Sequence, residues 1–319
     1  MGGGLMGGLV VCAYSDVGYK CLEWLLDHRE SVRVVYTHPD APGEERWFGS
    51  VADLATKHGL EPRVVNDLDD PADEELIRGV QPDFIFSFYF RKMIPERVLA
   101  LARRGALNMH GSLLPAFRGR SPVNWAILKG ATETGASLHY MIGKPDAGDL
   151  VDQERVKIGP DDDVLSVSRR VGDAAVTVLA RSLPKLKLGT APRVPLDLSK
   201  GSYFGGRKRE DGAIDWTKPA QEIHDLVRAV TKPWPGAFTD VFGKNVTVWK
   251  TRIAPYAGHD VFPGKVEPTE SSVIVYAGDD RTLEILSARP EGGKDLDAAE
   301  FRDWLVRPSG IFPILETKG

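Results

Sequence analysis

Short apolar runs alternate with amphipathic stretches through the first half of the chain. LVVCAY (9–14), VRVVYT (32–37) and DFIFSFYF (83–90) are typical of strands that are buried on both faces. Leucines at positions 22, 25 and 26 mark one face of an intervening helix. A strand–helix–strand order predicts right-handed crossovers and a parallel sheet. The first part of the chain is therefore predicted to be an α/β domain with a Rossmann-like, doubly wound parallel sheet.

The hydrophobic pattern changes in the last third of the chain. PWPGAFTDVF, NVTVWKTRI, SVIVYA and TLEILSA supply short strands at spacings typical of a small barrel. We therefore predict a catalytic domain over residues 9–189 and a smaller C-terminal open β-barrel (OB-like) domain over residues 207–319. The intervening segment, 190–206, contains proline and is weakly periodic, so we expect it to be a linker.

Composition and charge exclude several classes of protein. The chain has 319 residues, a net charge of −4 and a pI of about 6.0, so it has no broad basic footprint and no nucleic-acid partner is expected. Arg207, Lys208 and Arg209 form either a local basic patch or part of a solvated linker. No apolar run reaches the roughly 18–20 residues of a membrane span, so no membrane insertion is expected.

Cysteine and histidine usage gives no sign of a disulfide framework or a metal site. Cys12 and Cys21 fall in a predicted strand and helix, and His139, His224 and His259 lack a spacing typical of metal ligands. We therefore expect no metal and a reducing, cytoplasmic location. The glycine-rich residues 1–8 lack the regions of a secretory signal and are expected to be a disordered leader.

The glycines of a dinucleotide-binding fingerprint are absent after the first strand. The glycines at positions 2–4 and 7–8 come before LVVCAY rather than after it. The sequence therefore gives no indication of an NAD-binding site. Loop 38–49, HPDAPGEERWFG, is long and carries charges and two aromatic residues. It is either a surface loop with buried anchors or a substrate-binding loop.

The stretch ALNMHGSLLPAFRGRSPVNWAI (106–127) concentrates the candidate chemistry. If its start is a strand, Asn108 and His110 point to the same face. Asp146 lies in a turn-forming DAGD sequence further on. Taken singly, each is an ordinary polar or turn residue. An amide donor, an imidazole and an acid together suggest acyl transfer, and Lys92 to Ile94 follow a strand that ends at the same predicted edge.

The motifs extend well beyond this stretch. THPDAPGE, FGSVADLA, PDFIFSFYFRKMI, NMHGSLLPAFRGRSPVNWAI, TETGASLH, DAGD and LVRAVTKPWPGAF resemble, in kind and order, the 10-formyltetrahydrofolate-dependent formyltransferases. RGRSPVNW resembles most closely the members that formylate UDP-4-amino-4-deoxy-L-arabinose, known as one half of a bifunctional polymyxin-resistance enzyme that acts in lipid A modification. The resemblance covers about residues 9–290.

The resemblance implies a role for each matching residue. Asn108 would stabilise the transition state, His110 would be the acid–base residue and Asp146 its carboxylate partner. The co-substrate would be 10-formyltetrahydrofolate, with no metal. Its contacts would be Lys92, Met93, Ile94, Arg120, Ile142, Gly143, Lys144, Pro145 and Asp146. Because the bifunctional relative continues into a dehydrogenase–decarboxylase, the resemblance implies either standalone activity or a separately encoded partner of that kind.

The sequence leaves several candidates for the amine substrate. The leading hypothesis is transfer to the 4-amino group of a UDP-amino-sugar. Alternatives are another nucleotide-linked amino sugar, methionyl-tRNA, or ornithine for a siderophore. A folate-binding module without turnover is a further alternative, although binding alone does not require Asn108, His110 and Asp146 together.

Overall fold

The structure is a computed structural model that describes residues 7–40, 46–254, 262–306 and 313–315. Residues 1–6 of the predicted leader, and His259, lie outside the described residues. Two compact units are present. The first comprises Met1–Pro122, Glu133–Lys157 and Val167–Gly205, and the second comprises Val123–Thr132, Ile158–Ser166 and Gly206–Gly319. Compactness alone does not test independent folding, so the boundaries 9–189, 190–206 and 207–319 stay a prediction.

Strands and helices alternate in the first half of the chain. The elements are, in order, β1 (Leu9–Ala13), α1 (Ser15–Asp27), β2 (Val32–Thr37), α2 (Val51–Lys57), β3 (Arg63–Val64), α3 (Pro71–Val80), β4 (Phe84–Phe88), α4 (Glu96–Leu99), β5 (Gly105–His110), β6 (Arg118–Gly119), α5 (Pro122–Leu128), β7 (Glu133–Tyr140), β8 (Leu150–Lys157) and α6 (Val164–Leu188).

Seven strands form one sheet in the order β3-β2-β1-β4-β5-β7-β8. The first five are parallel, which confirms the predicted Rossmann-like α/β fold. The sheet is not parallel throughout, because β7 runs antiparallel to β5 and β8 antiparallel to β7. Residues 141–149 are too few for the crossover that a parallel pair needs, so β7 and β8 form a hairpin.

The sheet is covered on both faces around β1. Val10 and Cys12 belong to a buried cluster that also contains Ile77 of α3 and Val98 of α4. Ala13 points to the opposite face, where a Cβ on Gly18 of α1 would lie 3.2 Å from its own Cβ. Because both faces are buried, β1 is continuously apolar rather than alternating.

The predicted linker contains short stretches of regular pairing. Val194 and Leu150 exchange two backbone hydrogen bonds, at 2.8 and 2.9 Å. A further strand, β9 (Tyr203–Phe204), pairs in parallel with β6. These contacts connect part of the segment to the first unit.

A smaller antiparallel β domain follows, as the alternating pattern predicted. Its sheet has the order β10-β11-β14-β13-β12, with β15 paired to β14. Trp216 and Ile285 are fully buried in this unit. Its elements are α7 (Ala220–Val230), β10 (Ala237–Val241), β11 (Lys244–Ala254), β12 (Val266–Pro268), β13 (Val273–Tyr276), β14 (Thr282–Pro290), β15 (Leu296–Asp297) and α8 (Ala298–Leu305).

Two cations of the basic triplet contact aromatic rings within the second unit. The Arg207 guanidinium lies 5.0 Å from the centre of the Trp125 ring and donates to the Asp211 carbonyl at 2.7 Å. The Arg209 guanidinium lies 5.7 Å from the centre of the Phe238 ring. Each therefore has a local structural contact.

Candidate active site

Two polar side chains lie on the last half of β5. Asn108 and His110 are two residues apart and point to the same face, as the sequence predicted. In the pairing of β5 with β7, Asn108 is opposite His139 and His110 is opposite Ser137. A polar surface two strands wide therefore forms where β5 ends.

The turn between β7 and β8 brings Asp146 to this surface. Its backbone adopts a left-handed conformation, with φ of 49°. Asp146 Oδ1 accepts a hydrogen bond from Asn108 Nδ2 at 3.3 Å and lies 3.5 Å from His110 Nδ1. The structure thus brings together all three residues that the sequence singled out.

The second carboxylate oxygen of Asp146 is held by the main chain. The N–H of Gly119 donates to Asp146 Oδ2 at 2.8 Å. Gly119 has a φ of 97°, and a Cβ there would lie 2.1 Å from the carbonyl oxygen of Phe204. Only glycine fits this position without rearrangement, so β6 presents a backbone donor at a fixed place.

His139 is a fourth member of the cluster that sequence reasoning missed. Its Nδ1 donates to the Tyr140 carbonyl at 2.8 Å, because a carbonyl can only accept. Its Nε2 lies 3.2 Å from Asn108 Nδ2 and 3.4 Å from Asp146 Oδ1. A neutral ring accepts from Asn108, and a protonated ring donates to Asp146. Only the register between β5 and β7 could have identified this residue.

The His110 ring is buried between two acceptors. Nε2 donates to the Phe117 carbonyl at 2.9 Å, and Nδ1 faces Asp146. Burial lowers the pKa of His110 because it removes water from the imidazolium, and the nearby His139 adds to this effect. Asp146 and the Phe117 carbonyl oppose the shift without cancelling it. The ring is therefore predominantly neutral at pH 7, the form that accepts a proton.

Asp146 stays ionised beside it. Burial alone would raise the pKa of Asp146, but His110, the contact with His139 and the Gly119 N–H outweigh it. The net result holds the pKa of this carboxyl well below its usual range. A buried anion is therefore fixed next to a titratable imidazole.

Replacing Asp146 with Asn is expected to lower kcat and to move the acidic limb of the kcat/KM–pH profile to lower pH. The Asp146 charge favours the imidazolium form of His110, so its removal lowers the pKa of His110 further. Activity that needs neutral His110 would then persist to more acidic pH. Initial rates across the pH range, for both proteins, measure this shift.

Asp149→Asn is the matched control, because Asp149 lies in the same turn and pairs instead with Arg193 at 3.5 Å. Its profile should keep the wild-type limb. A limb that stays in place in Asp146→Asn, or moves to higher pH, would contradict the pairing of Asp146 with His110.

The loop after β5 is tied to the antiparallel hairpin. Ser137 Oγ donates to the Ser112 carbonyl at 2.5 Å and accepts from the Leu114 N–H at 3.1 Å. Gln153 Nε2 donates to the Leu114 carbonyl at 2.9 Å and to Ser137 Oγ at 2.8 Å. Because these bonds fix the start of the loop, the Phe117 carbonyl can be placed against His110.

The residues implied for folate binding differ in their exposure. Lys92 and Met93 are exposed, whereas the Ile94 side chain is buried in the cluster that contains Val10 and Val98. Any contact from Ile94 would therefore come from its backbone. Arg120 is exposed, and its N–H donates to the Phe204 carbonyl at 3.0 Å.

The turn after β7 lies close to the start of α4. Ile142, Gly143 and Lys144 are exposed, Pro145 is half-buried, and the Asp146 side chain is mostly buried. A Cβ on Gly143 would lie 1.8 Å from Glu96 Oε1, so the turn approaches the helix that follows Lys92 to Ile94. The two segments implied for folate are therefore neighbours.

A cleft of about 340 Å³ is lined in part by this turn. Among the residues implied for folate, only Ile142 lines it, together with Ala106, Met141, Asp149 and Arg193. Asn108, His110 and Asp146 do not line this cleft. The cleft is therefore distinct from the cluster of Asn108, His110 and Asp146.

No group of three or more His, Cys, Asp or Glu side chains is arranged to hold a metal ion in the described part of the chain. Nor is any helix among the described residues long and apolar enough to cross a lipid bilayer.

Two family matches cover most of the chain. Residues 21–183 match the family described as formyl transferase, and residues 207–303 match the formyl transferase C-terminal domain. The chain therefore belongs to the formyl transferase family of enzymes.

Solved structures share this fold at low sequence identity. An N-formyltransferase from Helicobacter canadensis, in complex with folinic acid and dTDP-3-aminofucose, is 18% identical with a TM-score of 0.69, over 88% of this chain and 99% of that one. A 4-N formyltransferase from Francisella tularensis is 20% identical with a TM-score of 0.63, over 77% and 97%. HypX from Aquifex aeolicus, with tetrahydrofolic acid, is 19% identical with a TM-score of 0.62, over 92% and 46%.

Proposed function

We propose that this protein transfers a formyl group from 10-formyltetrahydrofolate to the 4-amino group of UDP-4-amino-4-deoxy-L-arabinose. The observation that carries the proposal is the cluster of Asn108, His110 and Asp146 at the end of β5. A folate-binding protein without turnover would not need an amide, a neutral imidazole and an ionised carboxylate in contact.

In the proposed reaction, the lone pair of the substrate amine attacks the formyl carbon. A tetrahedral intermediate forms, in which the former carbonyl oxygen carries negative charge. The bond from this carbon to N10 of the folate then breaks, N10 gains a proton and the amine nitrogen loses one. The products are a formamide and tetrahydrofolate, so atoms and charge balance without a redox step.

Asn108 would donate an N–H to the developing oxyanion. Its Nδ2 contacts with Asp146 and His139, at 3.3 and 3.2 Å, are long for hydrogen bonds. A shorter, charge-assisted bond to the oxyanion can therefore replace one of them. This interaction strengthens as the reaction proceeds, which is the property that lowers a barrier.

His110 would accept the proton of the attacking amine and return it to N10. While Nε2 donates to the Phe117 carbonyl it carries a hydrogen, so it can accept the proton only in the other tautomer, in which Nδ1–H faces Asp146 and the amine takes the place of that carbonyl. Asp146 would stabilise the imidazolium formed in between.

Two observations support a nucleotide-linked amino sugar as the acceptor. The Helicobacter canadensis relative was solved with dTDP-3-aminofucose, and RGRSPVNW resembles the enzymes that formylate UDP-4-amino-4-deoxy-L-arabinose. The net charge of −4 gives no broad basic surface for tRNA. If UDP-4-amino-4-deoxy-L-arabinose is the substrate, the protein would take part in lipid A modification and polymyxin resistance.

A panel of amines tests the substrate. We expect UDP-4-amino-4-deoxy-L-arabinose to gain one formyl group from 10-formyltetrahydrofolate, as read by mass spectrometry. A dTDP-linked amino sugar, methionyl-tRNA and ornithine should react much more slowly, because each lacks either the sugar or the uracil. Transfer should depend only mildly on salt, since no polyanion is bound.

Two other outcomes of the amine panel would lead to different conclusions. Efficient formylation of methionyl-tRNA with no reaction of UDP-amino-sugars would refute the substrate and leave the formyl chemistry intact. Folate binding with no formylation of any amine would instead favour the module without turnover.

A further inference from the structure

Arg118 is a buried cation to which the described residues offer neither an anion nor a hydrogen-bond acceptor for Nε. Its side chain lies on β6 and only 8% of the residue is exposed. Its Nε is inaccessible to solvent and has no hydrogen-bond acceptor, and the described residues offer its guanidinium no ion pair. Its Cζ lies 6.0 Å from the centre of the Tyr203 ring.

A second buried arginine shows how this fold satisfies such a group. Arg228 is also 8% exposed, but its Nε donates to Asp225 Oδ1 at 2.7 Å and its Nη1 to the Asp162 carbonyl at 2.9 Å. Among the described residues, Arg118 has no comparable side-chain contacts. A buried charge without a partner is strongly unfavourable, so a bound anion would stabilise Arg118.

The backbone around Arg118 is fixed next to the candidate active site. The Phe117 carbonyl accepts from His110 Nε2, and the Gly119 N–H donates to Asp146 Oδ2. The Arg118 N–H donates to the Ser202 carbonyl at 3.0 Å, which holds β6 against β9. The backbone of Arg118 is therefore adjacent, on either side, to the contacts that orient the imidazole and the carboxylate.

We propose that Arg118 binds the diphosphate of the nucleotide-linked acceptor. This inference rests on the proposed function, because it assigns the anionic part of that substrate. A guanidinium binds phosphate oxygens through two parallel N–H bonds. In a nucleotide sugar, one sugar ring separates the diphosphate from the amine, so a cation on the residue between Phe117 and Gly119 is a reasonable ligand for the diphosphate when the amine lies at His110. Tyr203, 56% exposed, borders the same place.

Arg118→Met tests the proposal, because methionine keeps an extended side chain and removes the charge. Calorimetric titration should show roughly 10- to 100-fold weaker binding of UDP, the loss expected for hydrogen bonds to a charged group. Competition by inorganic pyrophosphate should weaken similarly, while the affinity for folinic acid should be unchanged. The melting temperature should be at least as high as that of the wild type, because an unpaired buried charge has been removed.

Two further variants serve as a conservative replacement and a control. Arg118→Lys keeps a positive charge but loses the planar guanidinium, so its affinity for UDP should lie between those of the wild type and Arg118→Met. Arg33→Met removes an exposed arginine from β2 and should change none of these values.

Three results would overturn the proposal. Wild-type protein that does not bind UDP or pyrophosphate at millimolar concentration would exclude a diphosphate site. Loss of folinic acid affinity alone would assign Arg118 to the glutamyl carboxylate of folate. A lower melting temperature with unchanged affinities would make Arg118 a structural residue. Because binding is measured without turnover, failure of the amine panel is distinguishable from failure of this site.

Discussion

Replacement of His110 with Asn is expected to lower kcat by roughly 100- to 10,000-fold, the range found for loss of a general acid–base residue. The proton that moves from the amine to N10 would then have no carrier in the cluster. Asn is smaller than His, and its amide can still donate toward the Phe117 carbonyl, so the fold should persist. Steady-state rates of formyl transfer, with circular dichroism on the same sample, measure both quantities.

His58→Asn is the matched control for this change. His58 is exposed at the end of α2, away from the cluster, and its replacement should leave kcat unchanged. Near-wild-type transfer by a folded His110→Asn protein would refute the catalytic assignment.

Replacement of Asn108 with Ala is expected to lower kcat by about 100- to 1,000-fold, or roughly 3–4 kcal/mol, as for loss of one oxyanion donor. The KM for folate should change much less, because the amide would act mainly in the transition state. The Asp146 and His139 contacts of Nδ2 would also be lost. Single-turnover rates at saturating substrates isolate the effect on the chemical step.

Asn66→Ala removes an exposed amide after β3 and should have no effect on kcat. A rise in KM with an unchanged kcat in Asn108→Ala would show that Asn108 contributes to binding rather than to the transition state. A group other than Asn108 would then have to be the hydrogen-bond donor to the oxyanion.

The period of two along β5 was enough to predict that Asn108 and His110 share a face, because alternation is local to one strand. The position of Asp146 depends instead on a left-handed residue in a nine-residue turn, which no local pattern encodes. The motif resemblance, not periodicity, had linked Asp146 to His110. His139 depends on strand register, which a sequence fixes only through the whole sheet.

The direction of the later strands was also beyond local reasoning. The apolar runs of β1 and β4 indicate burial on both faces, and this correctly predicted a parallel centre to the sheet. The alternation in β7 and β8 does not show which way each strand runs. For Ile94, the sequence indicated a place at the sheet edge but not that its side chain points into the core.

Main-chain atoms supply three of the contacts that orient the cluster: the Phe117 and Tyr140 carbonyls and the Gly119 N–H. Every amino acid carries the same carbonyl, so exchange of the side chain at 117 or 140 leaves the polar contact available. Divergence of the surrounding loop is therefore compatible with an unchanged orientation of imidazole and carboxylate, provided that the backbone path is kept. Gly119 is the exception: a side chain there would collide with the Phe204 carbonyl, so natural selection would act against its replacement.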